Sequence, residues 1–215
     1  MFLMDELETF EHSRRLQPLT VPILIERESG FVLHAESASL PCRGRLRARL
    51  RARKMQRELA FGKRRSGSRV AVGNCLSVLE AFVPVGGPLQ VCTDFKASYR
   101  AQLLRRFGDR VLHQRVSSKS RRDTHNPLFM INHTCALLRD GLSRLVRRNW
   151  GHSKRRAWLD RHLWIWIAYR NYLRGKVNAT PTTTPAMRIG VASRQFTVAE
   201  FFATRARFSN VAPAQ

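Results

Sequence analysis

The most constraining feature of this sequence is a change of period. Apolar and polar residues alternate in "FLMDELETF", and "LTVPILIERESGFVLHAESASL" holds two β-rich runs joined by the turn signal "RESG". A period of two over such lengths predicts strands, here three antiparallel ones with the second pair as a hairpin. Pro22 in "TVPIL" predicts an edge position or the start of the second strand, because proline donates no ladder hydrogen bond. After residue 66 the pattern changes. "SRVAVGNCLSVLEAF" reads as a helix stopped by "PVGGP", "LQVCTD" as a short buried strand, "KASYRAQLLRRFG" as a helix closed by Gly108, and "RVLHQRVSS" as the next strand. Beyond the polar loop "SKSRRDTHNP", two long helices are predicted from about Leu128 to Trp150 and from Lys154 to Arg174. A "TPTTTP" loop and a last short helix near Thr197 to Thr204 follow. Three antiparallel strands followed by alternating helix and strand predict an α/β protein, a mixed sheet flanked by helices on both faces. Residues 1–175 read as one domain containing a basic segment at 43–66, and residues 176–215 as a C-terminal tail with a short helix.

Charge narrows the partner. The 215 residues carry a formal net charge of +24, yet 43% are hydrophobic, so the chain is a folded globule rather than a basic tail. Such a charge calls for a polyanion, and nucleic acid leads because phosphate neutralisation supplies most non-specific affinity. No apolar stretch approaches the ~20 residues needed to span a bilayer. The densest run, "LWIWIAY", reads as a buried helix. "MFLM" is too short for a signal-peptide core and runs into acids. Cys42, Cys75, Cys92 and Cys135 are widely spaced, with no C-x-x-C pair, which predicts reduced thiols in a cytosolic protein. The densest basic stretch is "RGRLRARLRARKMQRELAFGKRR", with Arg43, Arg45, Arg47, Arg49, Arg51 and Arg53 on alternate positions. Leu, Ala and Arg favour helix there, and the segment reads as a surface that tracks phosphates.

Two aspartates stand out by position. Asp5 lies within the first strand, and Asp94 ends the strand "LQVCTD" just before a helix. Functional groups in open α/β sheets collect at strand ends. If the two strands are neighbours, the carboxylates face each other, and a divalent cation is the natural counter-ion for such a repelling pair. Oxygen donors select Mg²⁺ or Mn²⁺. The pattern alone also allows Asp94 as an N-cap of the following helix and Asp5 as a surface acid.

Taken in order, "MDELETFEH", "TDFKASY", "NPLFMINHTCALLRDGLSRLVRRNW", "LDRHLWIWIAYRNY" and "TPAMRIGVASRQFTVAEFF" resemble the catalytic domain of DDE-type insertion-sequence transposases over roughly residues 1 to 204. The resemblance implies a ribonuclease H-like fold and two-metal phosphoryl transfer on DNA. It also implies metal ligands at Asp5, Asp94 and Asn132, the last standing where the family usually has Glu. Arg139, seven residues and two helical turns after Asn132, matches a basic residue expected to meet the DNA backbone, with Arg144, Arg147 and Arg148 as further DNA contacts. Glu6, on the opposite face of the strand, is expected to be a structural or salt-bridging acid, and Glu8 and Glu11 surface acids. The implied cofactor is a pair of Mg²⁺ or Mn²⁺ ions. The implied partners are transposon-end and target DNA, further copies of the chain assembled on DNA, and an end-recognition domain or upstream reading-frame product, since the chain starts at the first catalytic strand. The implied setting is the bacterial cytoplasm at the nucleoid.

Overall fold

The computed structural model describes residues 1–117, 119–121, 123–146, 150–175 and 182–208. Six strands, β1 (Phe2–Phe10), β2 (Pro18–Glu26), β3 (Val32–Ala35), β4 (Ala38–Ser39), β5 (Leu89–Thr93) and β6 (Val111–Arg115), form one sheet in the order β3-β2-β1-β5-β6, with β4 also on β2. β1 and β2 pair antiparallel over nine residues, from Phe2 opposite Glu26 to Phe10 opposite Pro18. β5 runs parallel to β1, and β6 parallel to β5. Three antiparallel strands followed by two parallel ones reached through helices constitute the ribonuclease H-like arrangement. The first strand lies in the middle.

Both faces of the sheet are covered, which is why every residue of β2 from Leu19 to Ile25 is buried and the run is almost uniformly apolar. On one face α2 (Ser68–Phe82) and α3 (Ala97–Phe107) enclose Met4, Leu24, Val91 and Val111 with Leu76, Leu79 and Leu103. On the other, α4 (Phe129–Gly141) and α5 (Arg156–Ala168) enclose Leu3, Leu7, Ile23 and Cys92 with Ile131, Leu138, Leu159 and Leu163. Alternate residues of β1 therefore enter different cores.

Pro22 is in neither of the expected places, since β2 is flanked on both sides. Its lost N–H is tolerated because the outer neighbour changes beside it: Ile23 pairs with Ala35 of β3, whereas Thr20 pairs with Ala38 of β4. The proline sits opposite the break between those two strands.

The helix expected over Leu128 to Trp150 stops earlier, at Gly141. Leu142 leaves with extended dihedrals and the chain makes a 3-10 turn at Ser143–Leu145, which carries Leu142 and Leu145 into the core. Gly141 also permits close approach of α5, because a Cβ there would lie 2.8 Å from Trp166 Nε1. The second long helix ends in a wide turn at Tyr169–Leu173. Within it, buried Asn171 donates to the Val32 carbonyl (2.8 Å) and accepts from the Val32 N–H (3.0 Å), so the free edge of β3 is paired by a side chain.

The basic segment forms α1 (Ala48–Phe61), which buries none of its residues. Its return path is pinned to the sheet: Arg64 donates to the carbonyls of Leu40 (3.0 Å) and Pro18 (3.2 Å), and the Gly67 N–H to that of Ser39 (2.8 Å). Two short helices close the chain, α6 (Pro185–Arg188) and α7 (Val198–Phe208). Tyr172 meets the rings of Phe196 and Phe201 edge-on and tilted, at about 6 Å.

Candidate active site

Asp5 shares its face of β1 with Leu3 and Leu7, the face covered by α4 and α5. The parallel ladder with β5 runs from Phe2 beside Val91 to Met4 beside Thr93. Asp5 and Asp94 are the next residues along the two strands, Asp94 lying just past the end of β5. Both are partly buried. Asp5 Oδ1 accepts the Glu6 N–H (2.7 Å), and Asp94 Oδ1 accepts the Lys96 N–H (2.9 Å). Asp94 thus closes a turn and is not the N-cap of α3; that position belongs to Lys96, which makes no side-chain cap bond. Tyr99, fully buried below, feels all these acids. Its phenol is pushed far above the usual range, first by burial and then by the charges of Glu6, Asp5 and Asp94.

The first turn of α4 adjoins Arg27, whose N–H bonds the Met1 carbonyl at the start of β1. Near the other end of the helix, Arg139 Nη2 reaches the Glu8 carbonyl (3.4 Å). Helix and strand therefore run in the same direction. Seven helical residues from Asn132 to Arg139 span ~10.5 Å, and three strand residues from Asp5 to Glu8 span ~10 Å. Asn132 is partly buried in the first turn of α4, next to core residue Ile131.

Glu6 points to the other face, as the strand period predicts, into a network that is not evident from sequence. Its carboxylate accepts from Thr20 Oγ1 (2.6 Å), Ser68 Oγ (3.0 Å), Tyr99 Oη (3.3 Å) and Lys96 Nζ, and Lys96 Nζ also donates to Ser68 Oγ (2.9 Å). The same two residues, Glu6 and Lys96, donate their N–H groups to Asp5 and Asp94. A salt bridge below the sheet thus ties together the two backbone segments that hold the carboxylates. The available hints were the parity of β1 and the lysine two residues after Asp94 in "TDFKASY".

The basic residues divide into groups. Arg43 and Arg139 converge with Arg14 and Arg15, which sequence reading missed, on a cleft of about 520 Å³ at the far end of β1. Arg43 pairs there with Glu8 (2.6 Å). Arg45 and Arg47 lead into α1, and Arg49, Arg51 and Arg53 lie on that exposed helix. Arg144 is in the 3-10 turn after α4. Arg147 and Arg148 fall outside the described residues.

Two carboxylates and an amide oxygen form a hard donor set of the kind that suits Mg²⁺ or Mn²⁺. Among the described residues no three His, Cys, Asp or Glu side chains gather at one point.

Sheet order and register define the class of the molecule, a ribonuclease H-like α/β domain. No protein-family model matches the chain, and no curated protein matches it. Among solved structures it is similar to the catalytic core domain of BIV integrase, with 14% identity, a TM-score of 0.42 and coverage of 97% of both chains. It is also similar to a chain of the simian T-cell lymphotropic virus intasome in complex with PP2A regulatory subunit B56 gamma, with 12% identity and a TM-score of 0.38 over all of this chain and 60% of that one. No helix among the described residues is long and apolar enough to cross a membrane.

Proposed function

We propose that the chain is the catalytic core of an insertion-sequence transposase, a polynucleotidyl transferase that cleaves DNA and joins the freed end to a target. The observation that supports the reading is register: Asp5 and Asp94 each follow the last rung, Met4 beside Thr93, that pairs two neighbouring parallel strands, and α4, which bears Asn132 and Arg139, covers the face of β1 that holds Leu3 and Leu7. Asp5, Asp94 and the Asn132 amide oxygen are the residues that would hold divalent ions. Two bound Mg²⁺ or Mn²⁺ ions would supply an activated water or 3′-hydroxyl and a stabilised leaving oxygen. The chain contributes position and field. Glu6 and Lys96 keep the carboxylates in place from below, and Arg139, with Arg14, Arg15 and Arg43, draws the phosphodiester backbone along the end of β1. Exposed arginines on α1 add affinity without sequence preference. The partners are element-end and target DNA, with further copies of the chain and an end-recognition module completing the assembly.

The test is metal-titrated cleavage and joining of a substrate built from the DNA flanking the reading frame, with any separate end-recognition protein supplied. Wild type should act only with Mg²⁺ or Mn²⁺. Asp94→Asn should lose activity by at least ~10³-fold, on the scale of removing a charge-stabilising group, and Asn132→Ala should lose it while DNA affinity stays nearly unchanged. The neutral side chain at Asn132 favours a second reading, a derivative that binds DNA without cutting it. Folded, DNA-binding wild type without activity in either metal would select that reading.

A further inference from the structure

Away from the aspartate pair, a cleft of about 380 Å³ opens between the β2–β3 turn, the start of α4, the wide turn after α5, and α6. Arg27, Arg170 and Arg188 line it. Gly30, with a φ of +69°, lets the turn pass close to Arg170: a Cβ there would lie 3.5 Å from Arg170 Nη2. Arg170 is half-buried, and its Nε is shielded from solvent with no hydrogen-bond acceptor among the described residues. Its guanidinium pKa is lowered by burial and then by the neighbouring charges of Arg174 and Arg188. Like charges gathered in a partly desolvated place raise the energy of the fold unless a counter-charge arrives.

The protein supplies little of that counter-charge. The one acid lining the cleft, Glu28, has a largely exposed side chain and leans on Arg27 at 3.8 Å. Glu26, below the turn, is occupied by the Met1 amino group and by Ser29. Among the described residues Arg188 donates to the Ser29 carbonyl, at 3.3 Å. The segments outside the described residues contain no Asp or Glu.

We propose that this cleft binds a phosphate group of a DNA strand, a second phosphate subsite separate from the cleft at Arg139. Guanidinium groups present planar paired donors that match phosphate oxygens, and the buried Arg170 Nε lacks such an acceptor. Phe129, Met130 and Pro185 form an apolar wall against which the adjoining sugar or base packs. The site lies at the first turns of α4, the helix bearing Asn132, so a strand held here is anchored on one side of the proposed active site while Arg139 holds it on the other. The inference rests on the DNA-binding part of the proposed function and not on the metal site.

Two arms test it. In the first, melting temperature is followed as sodium phosphate replaces chloride at constant ionic strength. Wild type should gain stability, and Arg188→Gln and Arg170→Gln should lose most of that gain. In chloride alone Arg188→Gln should melt no lower than wild type, because it relieves repulsion at an exposed side chain. In the second, duplex and single-stranded DNA affinity is measured against salt. Each variant should reduce the slope of log K against log salt by about 0.7–0.9, the contribution of one phosphate. Asp5→Asn should leave both responses intact even where it abolishes cleavage, so failure of the catalytic reading is seen separately. An equal phosphate response in wild type and variants would overturn the site. So would unchanged salt slopes, which would make the ligand free phosphate rather than DNA.

Discussion

Asp5 and Glu6 are adjacent acids on one strand, and the sheet treats them in opposite ways. Glu6 enters the α2–α3 face and is enclosed by hydroxyls and an ammonium from β2, α2, α3 and the turn before α3. Asp5 enters the α4–α5 face, one residue beyond the last rung that pairs β1 with β5. Glu6 is an acid that stabilises the fold, surrounded by donors, whereas Asp5 is, on the proposed function, an acid that takes an external cation. Proximity in sequence says nothing about which is which; the two-residue period of the strand does.

Mutation should separate the two faces sharply. Glu6→Ala leaves Lys96 and three hydroxyls facing a hole and should cost roughly 3 kcal/mol of stability. Lys96 is partly exposed, which keeps this below the loss expected for a fully buried pair. Asp5→Asn keeps the volume, so its unfolding free energy should stay within about 1 kcal/mol of wild type. Urea unfolding of the two variants side by side is the measurement. A larger loss for Asp5→Asn than for Glu6→Ala would reverse the assignment of the faces.

A smaller effect is expected on α1, where no residue is buried. Replacing Arg49, Arg51 and Arg53 together by Gln should change stability by less than ~0.5 kcal/mol, as for ordinary surface sites. DNA binding should nevertheless weaken and its salt slope should flatten. A clear drop in melting temperature would mean that α1 packs on something and is not the solvated helix seen here.

Much of this was legible because periodicity and breakers are local. β1 and α2 begin and end where "FLMDELETF" and "SRVAVGNCLSVLEAF" do, β5 ends one residue short of the expected "LQVCTD", and the pairing of β1 with β5 puts the strands that lead into Asp5 and Asp94 side by side. The places that misled depend on distant contacts. Pro22 is accommodated by a break between two other strands, and α4 ends where Leu142 and Leu145 find the core and Trp166 crowds Gly141. Lys96 lies 90 residues from Glu6, so no local pattern shows their contact. Arg170 directly follows the apolar run "LWIWIAY" in sequence, and only the folding of α6 beside it reveals a cleft.

The central claim is that Asp5 and Asp94 form one cation site. Mn²⁺ binding to the folded chain, followed by electron paramagnetic resonance of the free ion, tests it most directly. Asp5→Asn and Asp94→Asn should each weaken binding by about tenfold or more, and the double variant should lose little beyond either single one, because residues acting on one site are not additive. Glu6→Gln, where it remains folded, should retain most of the affinity. Mn²⁺ affinity indifferent to both aspartates, or two independent losses that simply add, would contradict a shared site.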